Sequence, residues 1–415
     1  MNARTRPQQA ATESIRMTAA ADPDPRPSIA EPQLRAQSLA DGAAGHALAQ
    51  IERAHHGQTS WRDAHHAVTA AASGDINSAL DTGLMVGVTA IAFLLHAAGA
   101  DGTPRYGPTL ATLDPIVTKL AHQCVDLAHA RIDRRELPTF AEYDLLHGLT
   151  GIGAHLLRHD SGSDALDRIL TYLVRLTQPL RVDGDLLPGW WTGHDPARGH
   201  TAELRGGHGN FGLAHGIAGP LALLAQALRA GITVNGHTEA IATIHDWLDT
   251  WRHESDTGVW WPQWITRDQQ RTRRPDQHGP LRPSWCYGTP GLARAQQLAG
   301  IATGDHGRQQ LAENALTACL ADPAQLDQIT DAGLCHGWAG LYQTTWRAAW
   351  DALTPAVGHH LPHLADRLTE HADAQMDPGL PLGLLEGSAG IALALDAAAT
   401  DIRPITRWDS ALLLD

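Results

Sequence analysis

Three side chains able to bind a soft metal fall at related places in this sequence. Cys286 lies in RPSWCYGTPG at 282–291, and Cys335 and His336 lie in LCHGWAG at 334–340. Zinc takes thiolate and imidazole donors at about 2.0–2.3 Å in tetrahedral geometry, and three protein donors leave a fourth position for water or substrate, as catalytic rather than structural zinc requires. As a bare spacing, a cysteine followed 49 residues later by Cys-His matches no local finger pattern, and two packed cysteines beside an ordinary histidine would look the same. A repeat links them. Cys286 precedes Gly288 by two residues, Cys335 precedes Gly337 by two, and both glycines open a G-x-x-G step.

That step organises the chain. Its leading glycines are Gly42, Gly87, Gly148, Gly216, Gly288, Gly337 and Gly387, and six are followed by a second glycine three residues on, the second repeat carrying Ala90 instead. Each step runs on into Ala, Leu and Ile at helical spacing. Pro220 and Pro290 fall within or beside their steps, and proline is tolerated in the first turn of a helix but not in its interior. The step therefore marks a helix N-terminus. Consecutive repeats then present both thiols at one end of the fold, where the positive end of the helix dipole favours thiolate.

Amphipathic stretches lie between these helices. Residues 113–132 predict a helix capped by Asp114 with Pro115 at its first position. Residues 163–176, 238–251, 309–320 and 361–372 carry the same pattern. Small-residue inner helices alternating with polar outer ones predict an all-α fold, a closed (α/α) toroid of seven inner and seven outer helices rather than an open solenoid, which would need polar end caps. Stacked repeats share one core, so 29–415 is expected as a single toroid domain preceded by a disordered tail at 1–28. Two long connections, 179–209 and 252–284, are rich in Gly, Pro, Trp and Arg and are expected to rim the mouth; VWWPQWIT from Val259 suggests a short strand.

Composition limits the partners. With 31 Lys and Arg against 45 Asp and Glu, the formal net charge of the 415-residue chain is -14, which argues against nucleic acid. Four scattered cysteines argue against a disulfide framework and for a reducing, cytoplasmic setting. No run of about 18 apolar residues is present to span a membrane, and the N-terminal residues lack the apolar segment of a secretion signal. Cys124 and Cys319 continue apolar helix stripes and read as core.

Around the same mouth stand residues suited to proton transfer. His215 directly precedes Gly216 and could act as acid or base. Asp144 lies four before Gly148, where other repeats place Gly83, Gly212, Gly333 or Gly383; it reads either as the group that orients a histidine or as a helix cap. His147 occupies the same repeat position as His215 and competes with it. Arg282, four before Cys286, offers a fixed cation or is a plain solvated arginine.

These motifs, WCYGTPG with Arg282 ahead of it, LCHGWAG, GLAHGIAG and YDLLHGLTGI, resemble those of the lanthionine synthetase C (LanC) cyclases, from about Ser38 to Asp396. The resemblance implies an (α/α) toroid and one zinc on Cys286, Cys335 and His336, with the family's catalytic histidine, aspartate and arginine falling on His215, Asp144 and Arg282. It implies a dehydrated precursor peptide as substrate, whose cysteine thiols add to dehydroalanine or dehydrobutyrine to close lanthionine or methyllanthionine rings. The absence of a kinase or lyase domain implies a stand-alone enzyme fed by a separate dehydratase, with a complex including that dehydratase and a transporter left open. Two rival readings are a zinc-binding scaffold without cyclase activity and a zinc-dependent protein thiol alkyltransferase. The first has no need of an acid, and the second usually carries an aspartate zinc ligand. A glycosidase would need a carboxylate pair, for which Asp144 and Glu386 are poorly matched.

Overall fold

In the computed structural model, residues 31–201, 204–375 and 379–415 are described; the tail expected at 1–28 lies outside them. Five of the leading glycines, Gly42, Gly148, Gly288, Gly337 and Gly387, sit at the N-cap of the helix they precede. Gly87 is the first helical residue of its repeat, and Gly216 lies just ahead of a helix that starts at Ala218. The second glycine of the step is needed because the chain folds back over it. A Cβ on Gly340 would stand 1.9 Å from the Leu334 carbonyl oxygen, and one on Gly291 would stand 2.0 Å from that of Trp285.

Counted among the described residues, fourteen helices build the main frame. The outer ones are α1 (Glu31–Ala36), α3 (Trp61–Ala71), α5 (Gly107–Asp133), α7 (Asp164–Leu176), α9 (His237–Thr250), α11 (His306–Leu320) and α13 (Leu361–Gln375). The inner ones are α2 (Ala43–His55), α4 (Gly87–Ala98), α6 (Leu149–His159), α8 (Ala218–Arg229), α10 (Thr289–Thr303), α12 (Trp338–Asp351) and α14 (Ser388–Thr400). Each inner helix packs on the next, and α14 packs back on α2, which closes the ring. Inner helices such as α4 and α10 are buried nearly all round, whereas α7 buries one apolar stripe (Ile169, Leu170, Leu173, Leu176), as a two-layer helical ring requires.

The rim at the N-termini of the inner helices is laced by backbone hydrogen bonds from repeat to repeat. The amide of Leu39 donates to Met85, Leu84 to Leu146, Leu145 to Ala214, Leu213 to Cys286, Cys286 to Cys335, Cys335 to Leu385 and Leu384 to Leu39, over 2.8–3.2 Å. This circuit holds Cys286 and Cys335 side by side.

At the centre, the C-terminal segment acts as a plug. The short 3-10 helix Trp408–Leu412 is buried. Trp285 Nε1 donates to the Leu412 carbonyl at 3.0 Å, and Arg294, itself buried, donates to Leu414 at 2.8 Å. Arg347 pairs with the buried carboxylate of Asp409 at 2.5 and 2.6 Å.

Two expectations need correction. Asp114 is not a cap: α5 starts at Gly107, with Pro108 in its first turn, so Pro115 lies inside the helix and removes the N–H that would bond the Ala111 carbonyl. The two long connections carry short strands that tie them together. The first carries β1 (Leu180–Val182), β2 (Asp185–Leu187) and β3 (His208–Asn210), and the second carries β4 (His253–Ser255), β5 (Gly258–Trp260) and β6 (Trp264–Thr266). The strand suggested at Val259 is thus two strands in different sheets, separated by Pro262, which cannot donate to a ladder. Two hairpins form, β1–β2 and β4–β5, while β3 pairs antiparallel with β6 and joins the two connections. Arg267 pins this cap by donating to Asp185 at 2.6 Å and Asp183 at 3.0 Å. Among the described residues the sheets are all two-stranded and form no closed β barrel.

Candidate functional site

The two thiols and the imidazole converge as their repeat positions imply. The donor atoms of Cys286, Cys335 and His336 all lie within 4.8 Å of one another. Cys286 is buried, Cys335 and His336 partly so. The Cys286 thiol is held well below its ordinary range by hydrogen bonds from Cys335 and His336. Its partner Cys335 is pushed up because it bonds to and faces that thiolate; one pair shares the first ionisation. His336 is raised by its hydrogen bond to Cys286. Arg282 is half-buried and near enough for its charge to favour a Cys335 thiolate and oppose a His336 cation. Two soft thiols and one imidazole, gathered at a partly open rim with a cation beside them, fit a zinc ion with one position left for an incoming ligand.

Asp331 was not anticipated. Its Oδ2 stands 3.5 Å from His336 Nε2, and its Oδ1 accepts the Gly333 amide at 2.9 Å. It braces the imidazole as carboxylates brace metal-ligating histidines. It lies six residues before Gly337, the place that Asn210 takes before Gly216, a repeat position that could have marked it.

Two repeats back from Cys286, Asp144 is fully buried and divides its two oxygens between two tasks. Oδ1 accepts the amides of His147 at 2.7 Å and Gly148 at 2.9 Å, in the turn that enters α6 rather than in its first turn; Oδ2 accepts from His215 Nδ1 at 2.6 Å. These bonds support the turn and hold the histidine ring. They also separate the two candidate histidines, since His215 is held through its ring and His147 through its backbone. Burial pushes the His147 imidazole below its ordinary value. The His215 ring rests on Phe140 at 4.8 Å between centroids, which leaves Nε2 as the nitrogen not engaged with Asp144. A cleft of about 440 Å³ lined by Leu137, Phe140, His194 and Arg198 shares that phenylalanine.

Tyr287 bridges the two halves. It is half-buried, its hydroxyl accepts from Asn210 Nδ2 at 3.0 Å, and loss of solvent raises its phenol far above the ordinary range, with Cys286 and Asp144 adding to the effect. It stands third in the series His147, His215, Tyr287, His336 directly before the leading glycines, a repeat position that could have marked it. Asn210, from β3, lies six before Gly216, as Asp331 lies six before Gly337. Cys319 belongs to the core, as expected, whereas Cys124 is only partly buried against it; desolvation pushes Cys124 up to about 11 and raises Cys319 further.

Comparison with known proteins identifies the family and the fold. The family model for lanthionine synthetase C-like proteins matches residues 34–413. The chain belongs to the lanthionine synthetase C-like family. Among curated relatives it is similar to the nisin biosynthesis protein NisC of Lactococcus lactis subsp. lactis, 24% identical over 277 residues, or 66% of this chain and 64% of that protein. That match therefore spans just under two thirds of the relative's own length. Among solved structures it resembles nisin cyclase with a TM-score of 0.77 at 21% identity, over 92% of this chain and 93% of that one. At that identity the likeness establishes the shared fold, the helical toroid. No helix among the described residues is long and apolar enough to cross a membrane.

Proposed function

We propose that this lanthionine synthetase C-like protein closes thioether rings in a dehydrated peptide. A cysteine thiol of the substrate adds to the β-carbon of a dehydroalanine or dehydrobutyrine in the same chain, giving lanthionine or methyllanthionine. The supporting observation is the convergence of the Cys286, Cys335 and His336 donors within 4.8 Å, one repeat from a histidine held at 2.6 Å by a buried carboxylate. Membership of the family and the likeness to NisC favour the same reading.

Cys286, Cys335 and His336 would hold a zinc ion. When bound, it supplies Lewis acidity that lets a thiol ionise at neutral pH. The protein's own residues account for the rest. Asp331 keeps the His336 ring in place. Carbon–sulfur bond formation pushes the alkene electrons onto the α-carbon and its carbonyl, giving an enolate, and Arg282 is the cation available to that oxygen. His215, with Nδ1 donating to Asp144, presents Nε2 to the mouth; from there it delivers the proton that the α-carbon gains. The thiol proton leaves, one proton is added at carbon, and the peptide mass is unchanged.

The test is a pair of variants read on two instruments. Cys335→Ala loses the zinc of the thiolate centre and ring closure; His215→Ala keeps that zinc and loses ring closure by roughly 10²-fold or more. Normal ring closure by both variants would overturn the proposal. An alkyltransferase would instead consume a separate electrophile and raise the peptide mass.

A further inference from the structure

We propose that His96, Asp114 and His155 form a second divalent transition-metal site, at the end of the toroid opposite Cys286, fastening the inner helices α4 and α6 to the outer helix α5. One donor atom from each lies within 4.8 Å of the others. His96 Nε2 stands 3.0 Å from Asp114 Oδ1, a separation close to that between two ligands of one first-row metal ion. His96 lies in the last turn of α4 and His155 near the end of α6, so the negative ends of two helix dipoles point toward the cluster and favour a cation.

The observation that points to a ligand is His155. It is 2% exposed, and its Nδ1 is sealed from solvent without a hydrogen-bond partner. A buried polar nitrogen left unpaired costs about 1–3 kcal/mol, and the surrounding inner helices otherwise fill such positions with Ala and Leu. His159, one turn on, stacks on His96 at 4.2 Å and 13° between planes and fixes its orientation. Phe93, 6.3 Å from the His155 ring, forms an apolar wall. On the other side the Asp114 side chain is 44% exposed, which gives an ion a way in and room for water to complete its shell. Two imidazoles and one carboxylate select zinc, cobalt, nickel or copper over calcium or magnesium. The donor set contains no thiol, which makes it separable by spectroscopy from the Cys286 centre. The two sites share no residue, so this proposal stands apart from the proposed reaction.

The test is a titration of metal-free full-length protein with Co²⁺, followed by absorption. Two equivalents are expected. One carries the near-ultraviolet thiolate-to-cobalt band of the cysteine centre, and the other shows only weak visible bands. His155→Gln removes the second equivalent and keeps the first, while Cys286→Ala does the reverse. Asp114→Asn, on a half-exposed side chain that the fold tolerates, weakens the second by at least about tenfold and decides the matter should His155→Gln fail to fold. A single equivalent in the wild type, or a thiol-free equivalent that survives unweakened in Asp114→Asn, overturns the proposal.

Discussion

Asp144 illustrates how one buried residue can serve the frame and, on the proposed reading, the chemistry. Its Oδ1 holds the turn that enters α6 and its Oδ2 holds the His215 ring. An Asp144→Asn change preserves the shape and keeps a carbonyl oxygen for the turn but removes the charge that supports a protonated His215. Ring closure should fall by roughly 10²-fold or more in kcat, with zinc content unchanged and stability lowered by no more than about 1–2 kcal/mol, the scale of a hydrogen bond to a charged group. Activity within twofold of wild type would reduce Asp144 to a turn residue. At this scale the sequence made the donors legible because the repeat gives them addresses. Cys286, Cys335, His336 and His215 all sit one or two residues before a leading glycine. Asp331 and Asn210 share an address of their own, six residues before Gly337 and Gly216, where each accepts the amide two residues on. What the spacing does not encode is their contacts in space, Asp331 beside His336 and Asn210 with Tyr287.

Helices and their entry turns set the precision of the site. Cys335 and His336 lie between Leu334 and Gly340, and a Cβ on Gly340 would meet the Leu334 carbonyl at 1.9 Å. Gly340→Ala must displace the turn that carries both donors. It should cost about 1–3 kcal/mol and also weaken zinc binding. Gly162→Ala, at a position with open space around it, is the control and should do neither. Denaturant titration beside metal analysis distinguishes the two, and equal behaviour of the variants would show that the close approach is unimportant. Helix pairs were legible through their periodicity, and the boundaries 163–176 and 361–372 agree closely with α7 and α13. The start of α5 was not. An Asp-Pro pair normally signals a helix start, but Pro108 takes that role, and Asp114 instead faces His96 across the helix pair. Local signals lose where a tertiary partner claims the residue.

Across the whole molecule, the ring is closed by its rim of backbone hydrogen bonds and filled by its C-terminal segment. Asp409 accepts from both Gln343 and Arg347 inside that plug. Asp409→Ala would strand the Arg347 charge in the interior and should destabilise the protein by about 3–5 kcal/mol, measured by urea unfolding; a loss under about 1 kcal/mol would contradict a buried, structural pair. Buried histidines set the acid limit. Burial lowers His208 and His245 from 6.5 to about 4, so the unfolded chain takes up protons that the folded one refuses. Their contribution is fully present above pH 6.5 and is lost as pH falls toward 4. The melting temperature should decline through that window, and His245→Gln should flatten the decline. Closure of the ring itself was legible from the seven-fold step; the plug and the joined β connections were not, because neither belongs to the repeat.

The central claim is that this toroid closes thioether rings using the thiol–imidazole centre at its rim. The most direct measurement counts free thiols remaining in a dehydrated, cysteine-bearing peptide after incubation with zinc-loaded protein. The account predicts that wild type removes thiols far faster than the uncatalysed reaction, without change of peptide mass, and that a variant lacking Cys286, Cys335 and His336 does not. No acceleration by the wild type, or the same acceleration by the variant without the three donors, would contradict it.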